Sequence, residues 1–326
     1  MNIVYNKKDM EYSNVQELID AIRQYSNSRK RRRSNAKVAV NHDMEQLVPC
    51  LRPLEKLNRL IGMESLKKNI IDQLLFFSQQ LNSNEMMHTC LTGPPGVGKT
   101  TLGKILAELY CSMGFLSTDN FTCVSRVDLV AGYLGQTAIK TKKVLEKAKG
   151  GVLFIDEAYS LGTTSDGDSY SKECIDTINL FLSENTSDFI MIIAGYTQEL
   201  DRYFFASNKG LERRFPWRYD IEKYSIENLK DIFKYQVSEN YWYIHKDLSD
   251  EMIVDLFKKN VALFKNNGGD TLQLFDKSKI THSRRVFGKP EIFKRVLTYD
   301  DIQTALELIA KSNTNKEEKV SYGMYI

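Results

Sequence analysis

Apolar residues in "LRPLEKLNRLIGMESLKKNIIDQLLFFSQQL", residues 51–81, recur twice at helical spacing, with a break at Ile61 and Gly62. That period predicts two helices joined by a tight bend. The next apolar run, "MMHTCLT", is short and bounded by Gly and Pro, so it reads as a strand feeding a loop. Helical and strand-like runs then alternate: "TLGKILAELYCSMG" as helix, "NFTCVSR" as strand, "TAIKTKKVLEKAKG" as helix, "GVLFIDEA" as strand, "SKECIDTINLFLSEN" as helix and "FIMIIAGY" as strand. These strands are apolar throughout, which calls for a parallel sheet covered on both faces. From about Tyr224 the spacing is helical only, in "SIENLKDIFKYQV", "SDEMIVDLFKKNVALF", "DTLQLFDKSKITHSRR" and "TYDDIQTALELIAKS". The predicted fold is α/β, an αβα sandwich around a parallel sheet, followed by a small helical domain. The predicted boundaries are a basic extension over 1–50 that includes the helical "VQELIDAIRQY", a core over 51–222, a helical domain over 223–313 and a frayed tail over 314–326.

Charge changes the picture only at the N-terminus. Residues 1–50 carry nine of the 45 Lys/Arg and six of the 42 Asp/Glu, which leaves 36 of each for the rest. The excess gathers in "SRKRRRS", where Arg29, Lys30, Arg31, Arg32 and Arg33 are consecutive. Such a run reads as a nuclear address, as a contact for a nucleic-acid phosphate backbone or as a solvated tail. No apolar run reaches eighteen residues and the N-terminus lacks a secretory pattern, so the sequence predicts a soluble intracellular protein, cytoplasmic or nuclear, with no membrane partner. The five cysteines show no CxxC spacing and the four histidines are scattered, which argues for a reducing compartment and against a structural metal.

The chemistry sits between the predicted strands and helices. "GPPGVGKT", residues 93–100, fits G-x-x-x-x-G-K-[ST] directly after a strand and before a helix. Gly96 and Gly98 let the backbone curl so that N–H groups and the helix N-terminus face phosphates, while Lys99 reaches the β/γ oxygens of ATP. The loop residues Pro95, Gly96, Val97 and Gly98, with Lys99, Thr100 and Thr101, are the candidate nucleotide contacts. "GVLFIDEAY" ends an apolar strand with two carboxylates. Asp156 and the Thr100 hydroxyl are candidate Mg²⁺ ligands, and Glu157 is the candidate base for the attacking water. A glutamate directly after the magnesium aspartate favours hydrolysis over phosphoryl transfer to another acceptor. "VDLVAGYLGQT" places Tyr133 and Leu134 between glycines, either as a turn folded onto the core or as a mobile finger, and local sequence does not choose between them.

"LTGPPGVGKTTLGKILAELY", "GYLGQTAIKTKKVLEKAKGGVLFIDEAYSL" and "IIAGYTQEL" resemble the AAA+ ATPases of the CbbX and stage V sporulation protein K group. The resemblance covers about residues 51–311 and implies a P-loop core with a helical lid, acting as a ring, usually hexameric, that remodels other proteins. It implies that the adenine lies against Ile61 and Gly62, that Tyr133 and Leu134 form an aromatic loop facing a central pore, and that Arg213 or Arg214 reaches a neighbouring subunit's ATP, with Arg214 aligning best. Tyr196 or Thr197 falls at a sensing position. In the lid, Thr271 lies near where relatives place a phosphate-sensing arginine. Arg284 and Arg285 come more than three helical turns later, so this lid is expected to report nucleotide by shape more than by charge.

Three functions remain in play at this level: a Mg²⁺-ATP-driven remodeller of an unidentified protein client, a nucleic-acid ATPase that uses the basic arm, and a slow nucleotide-switched scaffold. The core's balanced charge, and the lack of a cation beside Tyr133, weigh against the second.

Overall fold

Runs of branched and aromatic residues with no polar face make the central strands, because only a site covered on both sides can hold them. The computed structural model describes residues 12–32, 41–81, 86–133, 135–162, 169–208 and 210–322. The chain divides into two units, one of Met1–Gly93 with Lys99–Ile221 and one of Pro94–Gly98 with Glu222–Ile326.

The first unit opens with helices α1 (Val15–Arg32), α2 (His42–Leu47), α3 (Leu51–Arg59) and α4 (Glu64–Ser78). Strand β1 (Thr89–Thr92), α5 (Lys99–Ser112), β2 (Phe121–Val124), α6 (Arg126–Leu129), α7 (Thr137–Lys147), β3 (Val152–Ile155), α8 (Ser169–Glu184), β4 (Ile190–Gly195), α9 (Thr197–Glu199) and β5 (Trp217–Asp220) follow. The five strands run in the order β2-β3-β4-β1-β5 and every pair is parallel. Residues Val152, Leu153, Phe154 and Ile155 of β3 are all fully buried, as the uninterrupted apolar run predicted. On one face they pack with Leu145, Ile175, Ile178, Phe181 and Phe204.

Three features depart from expectation. Strand β5, "WRYD", was not foreseen, because only Tyr219 of its four residues is buried and an edge strand with charged neighbours carries no apolar run. The extension is not a separate arm: Val15, Leu18, Ile19 and Ile22 of α1 are buried at helical spacing, and α1 packs on α3. In the basic run, Arg29 pairs with Glu45, α1 continues to Arg32, and Arg33 lies outside the described residues. At the other end of the chain the expected fray is helical to Tyr322, consistent with its lysines and glutamates, which are good helix formers.

The second unit comprises α10 (Ile226–Glu239), β6 (Tyr243–Ile244), α11 (Asp250–Lys259), α12 (Gly268–Val286), β7 (Val296–Leu297) and α13 (Tyr299–Tyr322). Ser225 and Ser249 start α10 and α11 by accepting hydrogen bonds from the N–H of Asn228 and Met252, the expected role for serine before an amphipathic run. Its core is Phe233, Phe257, Phe275, Leu297, Ile302 and Leu306. Inside it Asp301, 3% exposed, accepts from Arg285 Nε at 3.0 Å and Nη2 at 2.8 Å and from the Thr298 N–H at 3.0 Å, with His282 Nδ1 3.1 Å away. Arg285 is thus committed to a structural ion pair.

Candidate nucleotide-binding site

In a parallel sheet all carboxyl ends lie along one edge, which is where the functional side chains gather. Strands β3, β4 and β1 are successive neighbours. The strand bearing Asp156 is therefore separated from β1 by β4, and the crossover helix α5 brings Thr100 to it: Thr100 Oγ1 lies 3.5 Å from Asp156 Oδ2. Lys99, in the first turn of α5, donates from Nζ to the Gly93 carbonyl at 2.8 Å and lies 5.4 Å from the centre of the Tyr196 ring. Burial lowers its pKa, opposed by the charges of Asp156 and Glu157. Glu157 is exposed and left-handed at φ 49°, and its N–H donates to Asp156 Oδ1 at 3.0 Å. Tyr159 stacks on Tyr196 with ring centres 5.7 Å apart. Burial foremost, then a hydrogen bond and charge from Glu157, push the Tyr159 phenol well above its usual range. Thr101 and Thr197 are exposed.

Residues Pro94–Gly98 of the candidate phosphate loop belong to the second unit. The loop's carbonyls are taken up one after another: Pro95 O accepts from Asn267 Nδ2 at 3.1 Å, Gly96 O from the Gly268 N–H at 3.1 Å and Val97 O from the Tyr224 hydroxyl at 2.8 Å. A Cβ on Gly96, whose φ is +71°, would stand 1.9 Å from Asn266 O, so no other residue fits there. The N–H groups of Gly96, Val97 and Gly98 have no acceptor in the protein among the described residues. A loop with its acceptors filled and its donors free is what an anion requires.

Elsewhere the candidates are dispersed. Ile61 and Gly62 form the bend before α4, where Gly62 (φ 69°) and Met63 (φ 60°) are both left-handed. Arg214 donates to the Gly210 carbonyl at 2.9 Å and to Ser183 Oγ, whereas Arg213 is exposed and its side chain has no partner among the described residues. Tyr133 is 74% exposed, and Leu134 lies outside the described residues. Open space surrounds both Gly132 and Gly135. Behind this tip Thr137 Oγ1 accepts from the Ala131 N–H at 3.2 Å, and Lys140 Nζ holds the carbonyls of Val127 and Val130 at 2.6 and 2.9 Å.

Residues 89–215 match the model of the ATPase family associated with various cellular activities (AAA). Over 76% of the chain the sequence is 41% identical to a cfxQ-like protein of Acanthamoeba polyphaga mimivirus. It is 36% identical over 60% of the chain to stage V sporulation protein K of Bacillus subtilis. It is 31% identical over 79% of the chain to the chloroplastic ribulose bisphosphate carboxylase/oxygenase activase of Cyanidioschyzon merolae, covering 90% of that protein. The chain is an AAA+ ATPase of the CfxQ/CbxX type. It spans 61% and 63% of the lengths of the first two relatives. The fold agrees with that of the FIGL-1 AAA domain solved with ADP, at a TM-score of 0.58 and 19% identity over 77% of this chain and 83% of that one.

Part of the loop's surroundings carries no signal in the sequence of this AAA+ ATPase. Thr271 is buried and bonded to the Gly268 carbonyl at 3.0 Å, and Arg285 is held by Asp301. Asn267 and Tyr224, which bind the loop, were not singled out. The only local signal was the pair of glycines after Asn267. Tyr159, an aromatic directly after a strand, carries no local signal that separates it from a core residue.

Proposed function

We propose that this ATPase is a remodeller of a protein partner that works as a ring of identical subunits. The observation that carries this reading is Tyr133, an exposed aromatic between two glycines on a braced loop. A packed turn would bury the ring, whereas a flat apolar ring on a hinged tip suits gripping a polypeptide with little sequence preference. The basic run gives less support to nucleic acid as the partner, since Arg29 is already paired with Glu45.

In this reading the free N–H groups of Gly96, Val97 and Gly98 and the Lys99 ammonium receive the phosphates of ATP. Thr100 and Asp156, two hard oxygen donors side by side, suit Mg²⁺, which when bound neutralises phosphate charge. Glu157, exposed beside Asp156, orients and deprotonates the attacking water, and its left-handed backbone is the kind of strain that functional positions retain. Tyr196 supplies a hydroxyl at the end of the neighbouring strand. Arg213 and Arg214 supply positive charge to the site of an adjacent subunit, Arg213 being the member free to reach.

A Glu157→Gln subunit should bind ATP normally, lose turnover by about 10²–10⁴-fold and hold its client in a pull-down. Lys99→Ala should fail to bind. Hydrolysis by Glu157→Gln at the wild-type rate would remove the base assignment. Tyr133→Ala should keep basal ATPase and stability within about 0.5 kcal/mol while losing work on the client. Aggregation of that variant would instead point to a packed turn.

A further inference from the structure

Three consecutive carbonyls of the phosphate loop, at Pro95, Gly96 and Val97, are bonded by residues of the helical unit. Asn267 is the centre of this arrangement. It is 2% exposed, it sits at φ 51° and ψ −121°, and both ends of its amide are used: Nδ2 donates to Pro95 O at 3.1 Å and Oδ1 accepts from the Tyr224 N–H at 3.2 Å. That backbone conformation suits glycine and strains a residue with a Cβ. Asn267 is also the residue preceding α12, yet its side chain makes no capping bond to that helix. The strain and the buried amide therefore serve the loop and not the helix. Tyr224 adds a second fastening, with its N–H on Asn267 and its hydroxyl on Val97 O at 2.8 Å. The segment around Thr271 carries no cation, and Thr271 turns its hydroxyl to Gly268 O.

We propose that Asn267 and Tyr224 are positioning residues for ATP binding: they fix the phosphate loop by its carbonyls through neutral hydrogen bonds, so that the loop's free N–H groups stand ready for phosphate. This rests on reading residues 93–100 as the phosphate loop. Ordering the loop before the ligand arrives spares the entropy that binding would otherwise lose, so loosening it should weaken affinity more than it slows the chemical step.

The test uses the full chain, a fluorescent ATP analogue for binding, steady-state kinetics, and amide exchange over residues 94–98. Asn267→Gly keeps the backbone conformation and removes only the amide, and Tyr224→Phe removes only the hydroxyl. Each removes one hydrogen bond to the loop and should weaken ATP binding about fivefold, the effect of that one bond, and raise KM with kcat within about twofold, while exchange in the loop accelerates. Asn267→Asp separates this role from a structural one. A helix cap would tolerate or prefer aspartate, whereas the loop clamp loses its donor and sets a carboxylate against Pro95 O and the incoming phosphates, so Asn267→Asp should bind ATP more weakly than Asn267→Gly. Wild-type or tighter binding by Asn267→Gly and Tyr224→Phe, or wild-type binding by Asn267→Asp, would overturn the proposal. Lys99→Ala is the control for the underlying site: if it bound ATP normally, the loop assignment itself would fail, whatever Asn267 does.

Discussion

The strand-end residues of the sheet unit and the loop fastening of the helical unit reach their positions by different means. Asp156, Glu157 and Tyr196 follow directly on β3 and β4, so secondary structure alone delivers them to one edge of the sheet. Pro95 is held by a residue 172 positions later in the chain, and nothing local announces it. The first kind of placement is robust to changes in side chains, because the backbone ladder carries it. The second depends on individual amides and hydroxyls and is open to disruption by single atoms.

The comparison is sharpest at the arginine pair of the sheet unit, where the largest effect is expected. Arg213→Ala should cut turnover by about 10³–10⁵-fold with ATP binding intact if it completes a neighbour's site. Mixing it with Lys99→Ala subunits should restore some activity, because an intact loop can then sit opposite an intact arginine. Arg214→Ala should cost stability as well, since it leaves Ser183 and the Gly210 carbonyl without their donor. A catalytic loss confined to Arg214→Ala, with Arg213→Ala silent, would assign the reaching role to Arg214.

Stability should fail in the helical unit before it fails at the strand ends. Burial alone would raise the pKa of Asp301, but Arg285, the Thr298 N–H and His282 outweigh it and leave the carboxyl below its usual range. Asp301→Ala strands the Arg285 guanidinium and should destabilise by about 3–5 kcal/mol, read as an early thermal transition. Glu157→Gln, at an exposed strand end, should melt with the wild type. Equal melting of both variants would erase the contrast.

A smaller, pH-dependent effect belongs to the sheet unit. His88 is buried and its Nδ1 accepts from the Met191 N–H at 3.1 Å. Burial first, and then the nearby Arg214 charge, lower its pKa from the usual 6.5 to about 4. A base whose folded pKa lies below its unfolded value contributes stability above the unfolded pKa and loses it as pH falls towards the folded one. Between pH 6.5 and 4 this should remove about 3 kcal/mol. In His88→Gln that acid dependence should shrink, as measured by denaturant titration at several pH values. An unchanged slope would mean other groups set it.

The apolar runs at β1, β3 and β4 and the G-x-x-x-x-G-K-T spacing were legible because each is a local pattern with one stable outcome. Strand β5 was not, since an edge strand needs no apolar alternation, and neither was the attachment of α1, whose buried Leu18 and Ile22 look the same in a free amphipathic helix as in a packed one. The sequence by itself determined the sheet's central strands, the glycine loop after β1 and the carboxylates that follow β3, because hydrogen-bond ladders and glycine backbones act over a few residues. Only the tertiary structure decided that Arg285 serves Asp301, that Arg214 is bound while the Arg213 side chain has no partner among the described residues, and that Asn267 and Tyr224 hold the loop's carbonyls. Those choices depend on which buried polar atoms find partners far along the chain, and a buried polar atom takes whatever partner the packing brings within about 3 Å.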